Sequence, residues 1–226
     1  MKNQSRNTAP VSVKYNTVAF AICVMGLVFA GNSAARAQSS SQQATFNPVN
    51  DWTWSYLGYS PNLPPSGLTV LTSYCDDGAC FPSAPKLACW TNGSNQPSFV
   101  QVCKNQGPGA ATYDTVVQPP DLLRMDPEDG IVTVRFIVPA TGVYSFSGRY
   151  QMIDTVGNEV LVSIVRHEPA FGVLLPLTQL RGYGNSVPFN IKASLPAGTT
   201  VDFTINTGGN YTNESTGLKV DVAAIP

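Results

Sequence analysis

Histidine occurs once in the 226 residues, at His167, and the chain contains no Gly-x-Ser-x-Gly elbow, no Gly-x-x-x-x-Gly-Lys-Ser/Thr loop and no His-Glu-x-x-His pair. The first leaves a single candidate for the usual base of a nucleophile, and the others exclude the nucleophile-elbow, nucleotide-binding and zinc-protease signatures. His167, beside Glu168 and Pro169 in VRHEPAFG, reads as a loop or strand-end residue, with general base as the alternative. Acidic residues are missing from the whole stretch before Asp51. Sustained apolar spacing of three and four is also absent, so no long helix is predicted.

What the N-terminus does have is positive charge at Lys2, Arg6 and Lys14, followed by 14 uncharged residues from Val18 to Gly31. Such a run matches a signal-peptide core and falls short of the roughly 20 apolar residues that span a bilayer. Ala35-Arg36-Ala37 places small residues where a signal peptidase reads them, so residues 1–37 are expected to be a cleaved secretory signal. The expected mature chain has 189 residues, nine basic and 14 acidic, a net charge of −5. It carries no basic stripe, which disfavours nucleic acid and anionic membranes as partners. Release into the periplasm or the medium is the expected destination, without a permanent membrane anchor. Residues 38–45 read as a flexible lead-in and 46–226 as a single domain.

Four cysteines remain after processing, Cys75, Cys80, Cys89 and Cys103, within 29 residues of a chain bound for an oxidising space. Two disulfides account for them, with three pairings open. Cys75–Cys80 with Cys89–Cys103 is preferred because it closes the tight CDDGAC loop first. A zinc site is the rival, although the spacings do not repeat the short paired knuckles of structural zinc.

The rest of the chain is divided by 18 prolines and 19 glycines into short segments rich in Val, Ile, Thr, Phe and Tyr. Strands are expected at 131–138, 142–150, 159–165, 187–194, 200–207 and 218–225, and in the first half at 51–58, 68–74, 87–91 and 98–102. Period two puts Val132, Val134, Phe136 and Val138 on one face of the first of these, predicted to be the core face. Pro139-Ala140-Thr141-Gly142 and Pro196-Ala197-Gly198 read as turns. The predicted fold class is all-β, a two-sheet antiparallel sandwich of jelly-roll type.

Three blocks, NDWTWSY from Asn50, LLRMDPEDGIVTVRFIVPATGVYSFSG from Leu122, and SLPAGTTVDFTINTGGN from Ser194 with Glu214-Ser215-Thr216-Gly217-Leu218, resemble a group of exported bacterial β-sandwich proteins similar to carbohydrate-binding jelly-roll modules. The Gly142-x-Tyr144-x-x-Ser147-Gly148 element also looks like C1q and tumour-necrosis-factor jelly rolls. Two departures stand out: Met125-Asp126-Pro127 replaces the His-Pro-Gly turn common in the group, and Glu214 replaces its usual Asp. The group's C-terminal sorting tag has no counterpart before Pro226.

For chemistry the sequence offers carboxylates and aromatics. Asp126, Glu128 and Asp129 cluster in one loop that could ligate calcium as a structural ion, although the loop lacks EF-hand periodicity. The same group, or Asp76 and Asp77, could supply the acid pair of a polysaccharide hydrolase, while the plainer reading of both clusters is a solvated turn. No catalytic constellation is found, and no enzyme activity is expected. Sugars stack on aromatic faces while amides and carboxylates take their hydroxyls, which makes Trp90, Tyr183 and Tyr211, with Asn210, the expected ligand-binding residues. Trp90 could instead pack against a disulfide at Cys89. Trp52 and Trp54 are expected in the core. The expected role is therefore binding of carbohydrate or another cell-surface component; the alternative is a self-associating structural or adhesive protein.

Overall fold

A computed structural model describes residues 40–41, 54–59, 68–71, 73–75, 86–91, 100–127, 130–207 and 213–226. Among these no helix occurs. The strands are β1 (Ser40–Ser41), β2 (Trp54–Tyr59), β3 (Thr69–Val70), β4 (Ser73–Cys75), β5 (Leu87–Thr91), β6 (Gln101–Asn105), β7 (Ala111–Tyr113), β8 (Val116–Gln118), β9 (Leu123–Asp126), β10 (Ile131–Ile137), β11 (Gly142–Met152), β12 (Glu159–His167), β13 (Gly172–Arg181), β14 (Ser186–Leu195), β15 (Thr200–Asn206) and β16 (Thr216–Ile225).

They form an all-β, two-sheet antiparallel sandwich of jelly-roll type. One sheet runs β14-β11-β16-β9-β6-β5-β4, with β1 also pairing β16; the other runs β13-β12-β15-β10-β2-β3. The alternation in sequence drives this arrangement. Val132, Val134 and Phe136 of β10, Val160, Val162 and Ile164 of β12, and Val201, Phe203 and Ile205 of β15 are all buried and face Tyr144, Phe146, Tyr150 and Val220 of the opposite sheet. Phe146 sits 5.7 Å from Phe136 and 6.1 Å from Phe203, ring centre to ring centre, in tilted and edge-on geometries that aromatic pairs favour. The predicted core face of β10 is the observed one.

The expected strands in the second half recur within two residues of their predicted ends, and β5 at its predicted limits. The expected strand at 68–74 is two short ones, β3 and β4, on different sheets, and the one at 98–102 begins at Gln101. β13 was not anticipated. Ser40 and Ser41, within the expected flexible lead-in, pair with Val222 and Asp221.

The short β7–β8 hairpin is a small sheet of its own, packed on the outer face of the larger sheet. Beneath it lie Cys75, Cys89 and Cys103, which occupy directly opposed positions on β4, β5 and β6. Cys89 and Cys103 form a disulfide with Cα atoms 4.1 Å apart. Cys75 is also disulfide-bonded, and Cys80 lies outside the described residues. Arg124, next in the row, is fully buried: its guanidinium donates to Cys103 Sγ at 3.1 Å and lies 5.9 Å from the centre of the Tyr113 ring.

From β9 onward the chain crosses from one sheet to the other at every connection except the β12–β13 hairpin. Connections that cross arch over the ends of the core, so two loop clusters result. One end carries the β10–β11, β12–β13 and β14–β15 connections. The other carries β9–β10, β11–β12, β13–β14 and β15–β16.

Candidate functional site

The second of these ends holds Tyr183, the one sequence-predicted binding residue that is exposed among the described residues. Tyr183 lies in the β13–β14 turn, where Gly182 and Gly184 take φ of 81° and 78°, a conformation that L side chains rarely adopt. The turn is clamped to the end of β11: Gly184 N–H donates to Met152 O at 2.9 Å, Met152 N–H to Asn185 O at 3.0 Å, and Asn185 Nδ2 to Arg181 O at 2.8 Å. With its backbone fixed on both sides, Tyr183 projects outward, 51% exposed.

The neighbouring β11–β12 connection is held just as closely. Asp154 is buried, and its Oδ1 accepts from Val156 N–H at 3.0 Å. Ile153 N–H donates to Ser215 O and Asn158 N–H to Asn213 O, which draws the start of β16 alongside. Arg181 and Glu159 pair at the rim. Hydrogen bonds from Gln179 and then Arg181 hold the Glu159 carboxyl below its ordinary range. Asn210 and Tyr211 lie outside the described residues, but Thr207 and Asn213, which bracket them, belong to this end.

Trp90 does not join this group. It is 4% exposed, points between the sheets and meets Tyr74 in a tilted ring contact at 4.9 Å. Since Cys89 faces the opposite side of the strand, Trp90 is neither a sugar platform nor a lid on the disulfide; it is a core residue. Trp54 is in the core as expected, and Trp52 lies outside the described residues.

Asp126 ends β9 with both carboxylate oxygens engaged. Gln101 Nε2 donates to Oδ2 at 2.9 Å, Arg124 Nε lies 2.9 Å from the same oxygen, and Ser215 Oγ donates to Oδ1 at 2.6 Å. Asp126 is thereby a structural knot joining β6, β9 and β16. Its expected calcium partners Glu128 and Asp129, and the alternative acids Asp76 and Asp77, lie outside the described residues. Among the described residues no group of three or more His, Cys, Asp or Glu could hold a metal ion.

Sequence reasoning missed Glu214. It is 5% exposed, and neither carboxylate oxygen finds a hydrogen-bond partner among the described residues. Burial, and then the charge of nearby Asp126, push its carboxyl up to about 8 from an ordinary 4.5, so the acid is neutral at pH 7. In the sequence, Asn-Glu-Ser-Thr-Gly resembles an exposed turn, and only the pairing of β16 with β9 brings Glu214 near Asp126.

His167 closes β12 at the opposite end of the sandwich. Its Nε2 is 3.1 Å from Asp202 Oδ2, its ring meets Phe171 edge-on at 5.7 Å, and Asp202 also accepts both nitrogens of Arg135 at 2.7 Å. A buried carboxylate already committed to a bidentate arginine also holds the half-exposed imidazole at the end of its strand, in line with the strand-end reading.

No family model matches the chain, and no curated protein matches it. Among solved structures, the CBM22-1 xylan-binding domain from Paenibacillus barcinonensis Xyn10C is similar with a TM-score of 0.39 and 10% identity, over 54% of this chain and 88% of that one. A family 35 carbohydrate binding module from Clostridium thermocellum gives 0.30 and 12%, over 44% and 76%. Murine APRIL gives 0.30 and 9%, over 76% and 98%. At this level of similarity none of them assigns a role to a residue here.

Proposed function

We propose that the protein is an exported, non-enzymatic β-sandwich that binds carbohydrate or another cell-surface component through the loops at the Tyr183 end. The observation that carries this reading is an exposed aromatic, Tyr183, on a turn clamped at both sides, at the same end of the sandwich as Asn158, Asn185 and Asn213. A flat ring that is already fixed gives up little conformational entropy on stacking, and amides beside it can take hydroxyl groups. The test is a glycan-array and insoluble-polysaccharide pull-down with the purified protein and with Tyr183→Ala. Capture by a glycan that is lost in the variant supports the reading; capture that is unchanged in the variant refutes this location.

A second reading, self-association, is favoured by one feature. β13 is the edge strand of its sheet, and it and the preceding turn expose Phe171, Val173 and Leu177. Edge strands with exposed apolar side chains are ready surfaces for another chain. Sedimentation equilibrium of wild type against Leu177→Lys decides it: a dimer or trimer that dissociates in the variant favours assembly, and a wild-type monomer ends it.

A further inference from the structure

We infer that the Cys89–Cys103 disulfide is a redox-exchange site for a dithiol, in which Cys103 leaves as a thiolate held by Arg124. This goes beyond carbohydrate binding and does not depend on it. Register supplies the geometry. Cys75 on β4, Cys89 on β5, Cys103 on β6 and Arg124 on β9 are successive Cα partners across one sheet, so their side chains share its outer face. The sheet thereby sets the buried guanidinium beside the Cys103 sulfur, and Arg124 Nη2 donates to Cys103 Sγ at 3.1 Å.

That contact differs in strength between the two redox states. A disulfide sulfur is neutral and a weak acceptor, so a buried guanidinium gains little from it. A thiolate in the same place accepts a charge-assisted hydrogen bond from a group that is always protonated. Asp126 Oδ2, 2.9 Å from Arg124 Nε, shares the charge but leaves Nη2 directed at the sulfur. Gln101 Oε1 lies farther from Cys103 Sγ, at 3.6 Å, and presents a dipole against a full charge. An interaction that is stronger in one state shifts the equilibrium toward that state, here toward reduction. A thiolate stabilised in this way is also the better leaving group, which directs attack to Cys89.

The step is a pair of thiol–disulfide exchanges. One thiolate of the dithiol bonds to Cys89 Sγ; the protein S–S bond breaks and its electron pair leaves on Cys103 Sγ beside Arg124. The second thiolate of the dithiol then attacks its own partner sulfur in the mixed disulfide, closing the dithiol into a disulfide and releasing Cys89. Two electrons pass to the protein; of the two protons of the dithiol, one ends on Cys89 and one goes to solvent. Both cysteines are fully buried, with Ala111 and Tyr113 of the β7–β8 hairpin packed over them. That hairpin is a sheet of its own with three-residue strands, so it is the element whose local opening admits the dithiol.

The experiment equilibrates the purified protein and its Arg124→Gln and Arg124→Lys variants in mixtures of reduced and oxidised dithiothreitol. After acid quenching, free thiols are alkylated in denaturant and mass spectrometry reads the state of each cysteine separately. The wild-type Cys89–Cys103 bridge is expected to open while the protein remains folded. Arg124→Gln is expected to need about tenfold more dithiol relative to its disulfide, a shift of about 30 mV, with Arg124→Lys, which keeps the charge, in between. The sign separates this role from a structural one: damage to the fold makes the bridge easier to reduce, whereas loss of the partner of the thiolate makes it harder. A folded Arg124→Gln whose bridge is reduced as easily as that of wild type, or more easily, overturns the proposal. A second readout needs no variant. The reduced wild type is expected to show the ultraviolet absorbance of a thiolate at pH 7, and its absence overturns the proposal as well.

Discussion

The two ends of the sandwich differ in how their polar groups are satisfied. At the end of the tight turns, four-residue connections bond to one another: Val138 N–H to Thr199 O at 2.9 Å, Gly198 N–H to Val138 O at 2.8 Å, and Ala197 N–H to Thr141 Oγ1 at 3.0 Å. Tyr144 adds its hydroxyl to Ala140 O at 2.7 Å. This end closes itself apart from the Thr199 hydroxyl, which is buried without a hydrogen-bond partner among the described residues. At the other end the connections are anchored at their bases, yet they leave Tyr183 exposed and the Glu214 carboxyl without a hydrogen-bond partner among the described residues. The carboxyl is the larger unsatisfied group of the two rims, and it marks the second as the place where something from outside completes the fold.

The largest expected effect breaks this comparison at Glu214. Its carboxyl is raised in the folded state to about 8, against 4.5 ordinarily. The associated stability is therefore fully present below pH 4.5 and is lost as pH rises through 8. Denaturant titrations in EDTA from pH 5 to 9 should show this loss in wild type and a nearly flat profile in Glu214→Gln at the same pH values. If the two profiles are parallel, Glu214 is satisfied by some other group and the two ends are alike.

The next effect tests the anchoring of the loop end. The disulfide between Cys89 and Cys103 holds together β5 and β6, whose connection opens at this end, and it closes a 14-residue separation. Replacing both cysteines by alanine is expected to cost about 3 kcal/mol in urea unfolding. Retention of glycan capture by the folded double variant would show that the bridge stabilises the scaffold without shaping the ligand surface.

Much of this architecture was legible because β10, β11, β12, β15 and β16 bury one face deeply and leave the other less covered, so period two survives in the sequence. β13 was not legible for a specific reason. Its Leu174-Leu175-Pro176-Leu177 run has no alternation, the register against β12 shifts between Val162 and Ile164 and again before Val165, and proline is tolerated because β13 is an edge. Trp90 was misread for a related reason. All five residues of β5 are buried, one face by the core and the other by the β7–β8 hairpin, so nothing in LACWT distinguishes inside from outside. At the site, Tyr183 could be read from its flanking glycines, whereas Glu214 could not, because its burial depends on strands distant in sequence.

The smallest effects sharpen the contrast by pairing two tyrosines from opposite ends. Tyr183→Ala removes an exposed ring and should change stability by less than about 0.5 kcal/mol, while weakening capture of a stacked glycan about tenfold. Tyr144→Phe removes only the hydroxyl that donates to Ala140 O, so it should cost about 1 kcal/mol of stability and leave capture unchanged. Chemical denaturation and the pull-down, run on both variants, read the two quantities separately. The crossed outcome, stability lost at Tyr183 and binding lost at Tyr144, would move the recognition surface to the tight-turn end, where His167, Phe171 and the edge of β13 would become its components.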